Sequence, residues 1–178
     1  MAKNIEVKVQ VHDLQAVRIQ AAAIADHGPI QLIQEDRFFD TQTGRLKLRI
    51  QESDQVETDN GTKSELIGYH RDDSAEARAS NYFICPTEYP EQLTSVLSFV
   101  LKPSVVVRKT RQLYLVGRTR IHLDTVDELG EFVEIEVVMH DEQPDAQGQE
   151  ELAQIIKQLH LENAVIVDVA YADLLRSK

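Results

Sequence analysis

The sequence predicts an antiparallel α+β fold in which six to eight strands, joined mostly by hairpins, form a sheet that is either open or closed on itself. Several segments alternate between polar and apolar residues with a period of two, which is typical of strands with one buried face. Turn residues separate these segments at hairpin-like spacing. Three stretches with apolar residues at helical spacing lie between them.

The first half of the chain contains most of the predicted hairpins and one helix. The strand at 4–11 has polar residues at even positions and apolar residues at odd positions. Asp13 is suited to cap a helix that runs to about Asp26, and Gly28 and Pro29 stop it. The acidic segment 52–63 is expected to be a solvated loop. The remaining strands are predicted over 30–33, 46–51, 65–71 and 80–85.

The second half begins with a helix at Pro90, whose apolar stripe is predicted to consist of Leu93, Val96, Leu97, Val100 and Leu101. Strands are then predicted over 104–116, 118–124 and 132–138, followed by a helix over 150–160 and a tail at 165–175 with a strand and a helix. The sequence has no internal repeat and no linker long enough to separate two units. We therefore expect a single domain over 1–178.

Composition excludes several classes of function. The 178 residues include 30 acidic and 19 basic side chains, and the net charge of −11 argues against nucleic acid or an anionic membrane as a partner. The single cysteine, Cys85, excludes an internal disulfide framework and a cysteine-rich zinc site. No apolar run of about 18 residues is present, so a cytoplasmic location is the default expectation.

Charged residues recur on the polar faces of the predicted strands, opposite aliphatic faces. If the sheet curls with its helices outside, these charges line a lumen, where unpaired cations would be very costly. Phosphates are the best counter-charge for lysine and arginine, and carboxylates among them suit Mg²⁺ bridging to the phosphates. The alternative is a structural β-protein with these charges in water as cross-strand salt bridges. The residues are Glu6, Lys8, Lys47, Arg49, Lys109, Arg111, Arg118, Arg120, Asp124, Glu134 and Glu136.

Four blocks of these residues resemble, in order, the motifs of the CYTH superfamily, also called triphosphate tunnel enzymes. The first, Ile5-Glu6-Val7-Lys8, is similar to the Glu-x-Glu-x-Lys signature of that family. The others include Gln34-x-Asp36-x-Phe38 with Lys47-Leu48-Arg49, then Lys109-x-Arg111-x-x-Tyr114, and finally Asp124 with Glu134-x-Glu136. The ending Tyr171-Ala172-Asp173-Leu174-Leu175 is also similar to that of the family. The branch it resembles most is that of the class IV (class 2) adenylyl cyclases, with relatives of thiamine triphosphatase.

The resemblance implies an eight-stranded antiparallel closed β-barrel, the triphosphate tunnel, with helices packed outside and often a homodimer. It also implies Mg²⁺ or Mn²⁺ as cofactor and a nucleoside triphosphate or another triphosphate as substrate. By position, Glu6, Glu134 and Glu136 would be metal ligands, and Lys47, Arg49, Lys109 and Arg111 would hold phosphates. Lys8 would contact phosphate or help to activate the nucleophile, and Asp124 would orient a basic partner. Arg118 and Arg120 are added because they share the strand face of Asp124.

Two positions depart from the pattern of the family. Asn4 replaces the first glutamate of the signature, which weakens the expected metal site, and no lysine occurs in the third strand, where Arg71 is favoured over His70 as the replacement. The leading hypothesis is conversion of ATP to cyclic AMP and pyrophosphate by a class IV adenylyl cyclase-like enzyme. The alternatives are an inorganic or thiamine triphosphatase and, because of Asn4, a non-catalytic nucleotide- or polyphosphate-binding module.

Overall fold

The computed structural model describes residues 4–53, 55, 61–69, 82–140 and 143–178. Its helices are α1 (Leu14–Ile24), α2 (Pro90–Val100), α3 (Asp145–Gln158) and α4 (Tyr171–Arg176). Its strands are β1 (Asn4–Val11), β2 (His27–Phe39), β3 (Arg45–Ser53), β4 (Thr62–Tyr69), β5 (Tyr82–Pro86), β6 (Pro103–Val116), β7 (Thr119–Val126), β8 (Gly130–Val138) and β9 (Val165–Ile166).

One antiparallel sheet contains all nine of these strands, in the order β5-β4-β3-β2-β6-β7-β8-β1-β9. The predicted antiparallel α+β class is therefore confirmed. Across 4–53, 55, 61–69, 82–140 and 143–178, no hydrogen-bonded pair joins β5 to β9. The sheet instead curves so strongly that Glu6 of β1 and Tyr69 of β4 line the same cavity. β9 adds a ninth short strand, which pairs with β1 at Val9 and Gln10.

Aliphatic side chains cover the outer face of the sheet, where α1 and α3 pack on it. This core includes Val9 of β1, Ile121 and Leu123 of β7, and Val133 and Ile135 of β8. Complete burial of such side chains contributes roughly 1.5–3 kcal/mol each to the free energy of unfolding, so the helices hold this face away from water. A second core, around Phe38, Val107 and Phe132, packs against α4 at one end of the sheet.

Several local predictions are met and others are wrong. The Asp13 side chain caps α1 by accepting a hydrogen bond from the Ala16 amide at 2.9 Å, as predicted. The apolar stripe predicted for α2 is only partly covered: Leu93 and Leu97 are half-buried, whereas Val96 and Val100 are exposed to solvent. Cys85, on β5, is exposed. No helix in the described part of the chain is both long and apolar enough to span a membrane.

Candidate functional site

The concave face of the sheet encloses a cavity of about 650 Å³. The cavity is polar because successive residues of a strand point to opposite faces of the sheet: the aliphatic residues lie under the helices, and the polar residues between them face the cavity. Strands β1, β2, β3, β6, β7 and β8 contribute ionic groups, and α4 lies at one end. The cations lining it are Lys8, Lys47, Arg49, Lys109, Arg111 and Arg120, and the carboxylates are Glu6, Asp36, Glu134 and Glu136.

Asp36 is the centre of a buried ionic cluster on β2, β3 and β6. Its carboxylate accepts hydrogen bonds from Lys47 Nζ at 2.8 Å and from Arg49 Nε and Nη2 at 2.7 and 2.8 Å. Lys109 Nζ lies 3.9 Å from Asp36 Oδ2. Burial opposes ionisation of Asp36, but Lys47, Arg49 and Lys109 outweigh it and hold the pKa of this carboxyl well below its usual value. Asp36 therefore fixes Lys47 and Arg49 in place and lies close to Lys109.

Arg111 is the centre of a second cluster, on β6, β7 and β8. Its guanidinium forms two hydrogen bonds of 2.6 Å to the Asp124 carboxylate and one of 3.0 Å to Glu134. Burial would lower the pKa of Arg111, but Asp124 and Glu134 raise it above its ordinary value. Burial would raise the pKa of Glu134, yet the neighbouring cations Arg111 and Lys8 hold it well below its usual range. Both partners of each ion pair are therefore charged at neutral pH.

Tyr171, the first residue of α4, connects the two clusters. Its hydroxyl donates a hydrogen bond to Asp124 Oδ2 at 2.9 Å. Its ring centroid lies 4.6 Å from Lys8 Nζ and 5.5 Å from Lys109 Nζ, within the range of a cation–π contact. Lys8 Nζ also donates to the Val169 carbonyl at 2.8 Å. The C-terminal segment thus orients two of the cavity lysines.

Burial shifts two basic groups of the cavity, Lys109 and His122, towards their neutral forms. Burial lowers the pKa of Lys109 to about 7, with Arg111 and Arg49 adding to the effect and Asp36 opposing it. Burial also lowers the pKa of His122, and Arg111 reinforces the shift, so the imidazole is neutral at pH 7. His122 Nδ1 is buried without a hydrogen-bond partner and lies 4.0 Å from Glu134 Oε2.

The oxygen donors at the β1–β8 edge of the cavity are of the kind that bind Mg²⁺ or Mn²⁺. Glu6 and Glu136 are directly opposite each other on paired strands. The Asn4 amide nitrogen donates to Glu136 Oε1, while Asn4 Oδ1 is buried without a partner. No three Asp, Glu, His or Cys side chains converge into one cluster within the described residues. The donor set fits a hard cation only if other oxygens, such as those of phosphate, complete its coordination.

The structure brings together most of the predicted site residues. Asp124 does not line the cavity but is fully buried beneath it, bonded to Arg111. Arg118 is exposed in the turn between β6 and β7 and does not line the cavity, although Arg120 does. Arg71 and its alternative His70 lie outside the described residues. The nine predicted residues that line the cavity are Glu6, Lys8, Lys47, Arg49, Lys109, Arg111, Arg120, Glu134 and Glu136.

Sequence reasoning did not assign a role to Asp36 or Tyr171. Asp36 shares the strand parity of Gln34 and Phe38, so the alternation of β2 could have placed it in the cavity. Its role as the partner of three cations depends on the pairing of β2 with both β3 and β6. Tyr171 lies far along the chain from Asp124, and only the packing of α4 across the sheet brings them together.

A curved antiparallel sheet with an ionic cavity on one face and helices on the other defines the structural class of this protein. More specifically, the chain belongs to the CYTH domain family, whose model matches residues 2–171. No curated protein matches the chain.

Solved structures confirm the fold. The PH1012 protein from Pyrococcus horikoshii OT3 is 21% identical with a TM-score of 0.76, and the match covers 98% of this chain and 99% of that one. A "putative adenylate cyclase" from Vibrio parahaemolyticus is 22% identical with a TM-score of 0.71, covering 97% of each chain. A "putative adenylyl cyclase" from Hippeastrum, described as having a dominant triphosphatase activity, is 14% identical with a TM-score of 0.68, covering 99% and 96%.

Proposed function

We propose that this protein is a divalent-metal-dependent enzyme that binds a triphosphate in the cavity and cleaves it. The observation that carries the proposal is the charge composition of the cavity, which six cations and four carboxylates line. Membership of the CYTH family and the fold shared with a protein described as a triphosphatase support the same class of substrate.

The two ionic clusters, centred on Asp36 and on Arg111, are suited to hold the phosphate chain. Lys47 and Arg49 are pre-oriented by Asp36, and Arg111 is pre-oriented by Asp124, so little conformational entropy is lost when they bind phosphate oxygens. Guanidinium groups present paired donors that match phosphate geometry, whereas lysine acts as a point charge. In this proposal Lys8 and Lys109, held by Tyr171, complete the binding surface along the cavity.

The charge balance of the cavity supports the proposed role of a metal ion. With Asp124, five carboxylates oppose six basic groups, of which Lys109 is only partly protonated at neutral pH, so the net charge of the site is at most about +1 before a ligand binds. A triphosphate with several negative charges would be under-compensated there. We propose that Glu6, Glu134 and Glu136 hold Mg²⁺ or Mn²⁺, with Asn4 Oδ1 as a neutral oxygen beside them. When bound, the metal neutralises charge on the phosphates and acts as a Lewis acid.

The residues of the chain would stabilise charge on the leaving group during cleavage. Lys47, Arg49 and Arg111 would compensate the charge that develops on the departing phosphates, without reorganisation, because their carboxylate partners already fix them. The nucleophile is the ribose 3′-hydroxyl of ATP in a cyclase and water in a triphosphatase. Lys8, which lines the cavity from β1 and contacts Tyr171, would bind the nucleophile or help to activate it.

We propose the adenylyl cyclase reaction as the first candidate, because apolar side chains adjoin the cations and could hold an organic group attached to the triphosphate. Phe38, Tyr69 and Val107 line that part of the cavity. A triphosphatase is the second candidate. Asn4 favours it, because an amide in place of a carboxylate leaves less negative charge to bind a second metal ion. Hydrolysis of a terminal phosphate uses water as the nucleophile, so it does not require a metal ion to orient a sugar hydroxyl.

Product analysis tests the proposal. The protein is incubated with ATP, tripolyphosphate or thiamine triphosphate, each with Mg²⁺ or Mn²⁺. Cyclic AMP with pyrophosphate would support the cyclase, and release of inorganic phosphate would support the triphosphatase. Binding of tripolyphosphate without any product would identify a non-catalytic binding module. If tripolyphosphate gave neither binding nor thermal stabilisation, the proposed site would be wrong.

A further inference from the structure

His122 lines the cavity from β7, although the binding of phosphate and metal proposed above makes no use of it. Its side chain is only 9% exposed. Nδ1 of the imidazole is buried and has no hydrogen-bond partner among the residues that the structure describes. Burying a polar atom without a partner lowers stability, so such an atom in the wall of a cavity points to a role in ligand binding.

Glu134 is the neighbour that His122 faces. The two residues are directly opposite each other on β7 and β8, and Lys8 of β1 is opposite Glu134 on its other side. His122 Nδ1 lies 4.0 Å from Glu134 Oε2, which is too far for a direct hydrogen bond. The separation suits one oxygen atom between the two groups, about 2.8 Å from each and with an angle of about 90° at that oxygen.

A neutral hydroxyl is the ligand that this pair of groups accepts best. Glu134 is ionised and can only accept a hydrogen bond, so its partner must be a donor. The imidazole is neutral, since burial and Arg111 lower the pKa of His122, so Nδ1 can either donate or accept. The Glu134 carboxylate would repel a phosphate oxygen at this position. Arg111 would repel a metal ion bound to Oε2, which leaves Oε1 of Glu134 for the proposed metal.

We propose that His122 and Glu134 form the binding site of the attacking hydroxyl, with Glu134 Oε2 accepting a hydrogen bond from it and His122 Nδ1 fixing its direction. This inference rests on the proposed function, because it assigns the position of the nucleophile for the same cleavage reaction. The hydroxyl is water in a triphosphatase and the ribose 3′-hydroxyl in a cyclase. Lys8, opposite Glu134 on β1, flanks the same position.

The proposed position is next to the phosphate chain. Arg111, one of the proposed phosphate-binding groups, donates a hydrogen bond of 3.0 Å to the same oxygen of Glu134. A hydroxyl bound to that oxygen is therefore a neighbour of the phosphate that Arg111 holds, as attack on phosphorus requires. A nucleophile displaced by about 1 Å can react about 100-fold more slowly, so the hydrogen bond from His122 has a measurable effect on the rate.

Kinetics of His122→Leu test the proposal, with whichever of ATP and tripolyphosphate the wild type cleaves. We expect kcat to fall about 100-fold, while the dissociation constant of tripolyphosphate stays within about twofold of the wild-type value, because other residues hold the phosphates. Leucine has no buried polar atom without a partner, so the variant should unfold at or above the wild-type temperature.

Two further variants serve as controls. His122→Asn keeps a polar atom close to the position of Nδ1 and should recover most of the lost kcat. His27→Leu removes an exposed imidazole of β2 that does not line the cavity, and it should keep the kcat of the wild type.

A 3′-deoxy analogue distinguishes the two sources of the hydroxyl. Binding is measured with Ca²⁺ in place of Mg²⁺ to slow cleavage. If the ribose supplies the hydroxyl, 3′-deoxy-ATP should bind to the wild type about tenfold more weakly than ATP, and this difference should shrink in His122→Leu. If water supplies it, the two nucleotides should bind alike, and His122→Leu should release phosphate from tripolyphosphate about 100-fold more slowly.

The inference and the proposed function fail in different ways. A wild-type protein that binds tripolyphosphate but cleaves no triphosphate would overturn the proposed cleavage and, with it, a site for a nucleophile. Wild-type turnover with an unchanged kcat in His122→Leu would overturn only the role of His122. A variant that loses stability and tripolyphosphate affinity together with kcat would show a structural role for His122 and would also overturn the inference.

Discussion

Lys109 should take up a proton when a triphosphate binds. Its pKa is about 7 in the ligand-free cavity, so at pH 8 only about one lysine in ten is protonated. A polyanion beside it favours the charged form and raises the pKa again. Binding at pH 8 should therefore take up about 0.9 proton per site, and the affinity should fall about tenfold between pH 8 and pH 9.

Isothermal titration calorimetry in two buffers with different ionisation enthalpies measures this uptake directly. The titration uses tripolyphosphate with Mg²⁺ at pH 8, where the phosphates are ionised and contribute little. Lys109→Met should bind more weakly and take up almost no proton. Arg120→Met is the matched control, because Arg120 lines the cavity but is not among the groups that shift the pKa of Lys109, and it should weaken binding while keeping the uptake. An uptake below about 0.2 proton in the wild type would refute the reasoning.

Three further predictions concern the ionic clusters. Arg111→Ala leaves Asp124 and Glu134 without their partner, so it should lower the free energy of unfolding by about 3–5 kcal/mol as well as weaken triphosphate binding; chemical denaturation that reveals no loss would contradict this. Tyr171→Phe removes a buried hydrogen bond to Asp124 but keeps the ring beside Lys8 and Lys109, so a loss of about 1–2 kcal/mol is expected, and a neutral result would argue against the contact. The pKa of Asp36 is depressed in the folded chain, so its contribution to stability is present above about pH 4 and is lost as the pH falls through the folded pKa; Asp36→Asn should destabilise the protein at pH 7 and flatten its acid unfolding profile, which unfolding curves between pH 2 and pH 7 would test.

The alternation of polar and apolar residues predicted most of the strands, because the long strands have one aliphatic face and one polar face. It placed Lys47 and Arg49 on one side of β3, and Glu134 and Glu136 on one side of β8, and all four line the cavity. Arg118 has the same parity as Arg120 but lies in the turn. Alternation indicates a face and does not indicate where a strand begins, so this residue could not be separated from Arg120 by sequence alone.

The alternation of polar and apolar residues could not predict which carboxylates pair with the cations of the cavity. The sequence predicted phosphate-binding cations, carboxylates that hold a metal ion and one carboxylate, Asp124, that orients a basic partner. The structure also pairs Arg111 with Glu134, and Lys47 and Arg49 with Asp36. These contacts depend on the register of three strand pairs, which no local pattern determines. The apolar stripe predicted for α2 is only partly covered for a similar reason: Leu93 and Leu97 are half-buried and Val96 is exposed, since helical spacing identifies an apolar face but does not determine what covers it.

Anomalous diffraction from crystals of the protein with Mn²⁺ and a non-hydrolysable triphosphate tests the central claim most directly. We predict a manganese peak within coordination distance of Glu6, Glu134 or Glu136, at about 2.0–2.3 Å, with phosphate density against Arg49, Lys109 and Arg111. Manganese and phosphate bound elsewhere on the molecule, with the cavity filled only by water, would contradict the account.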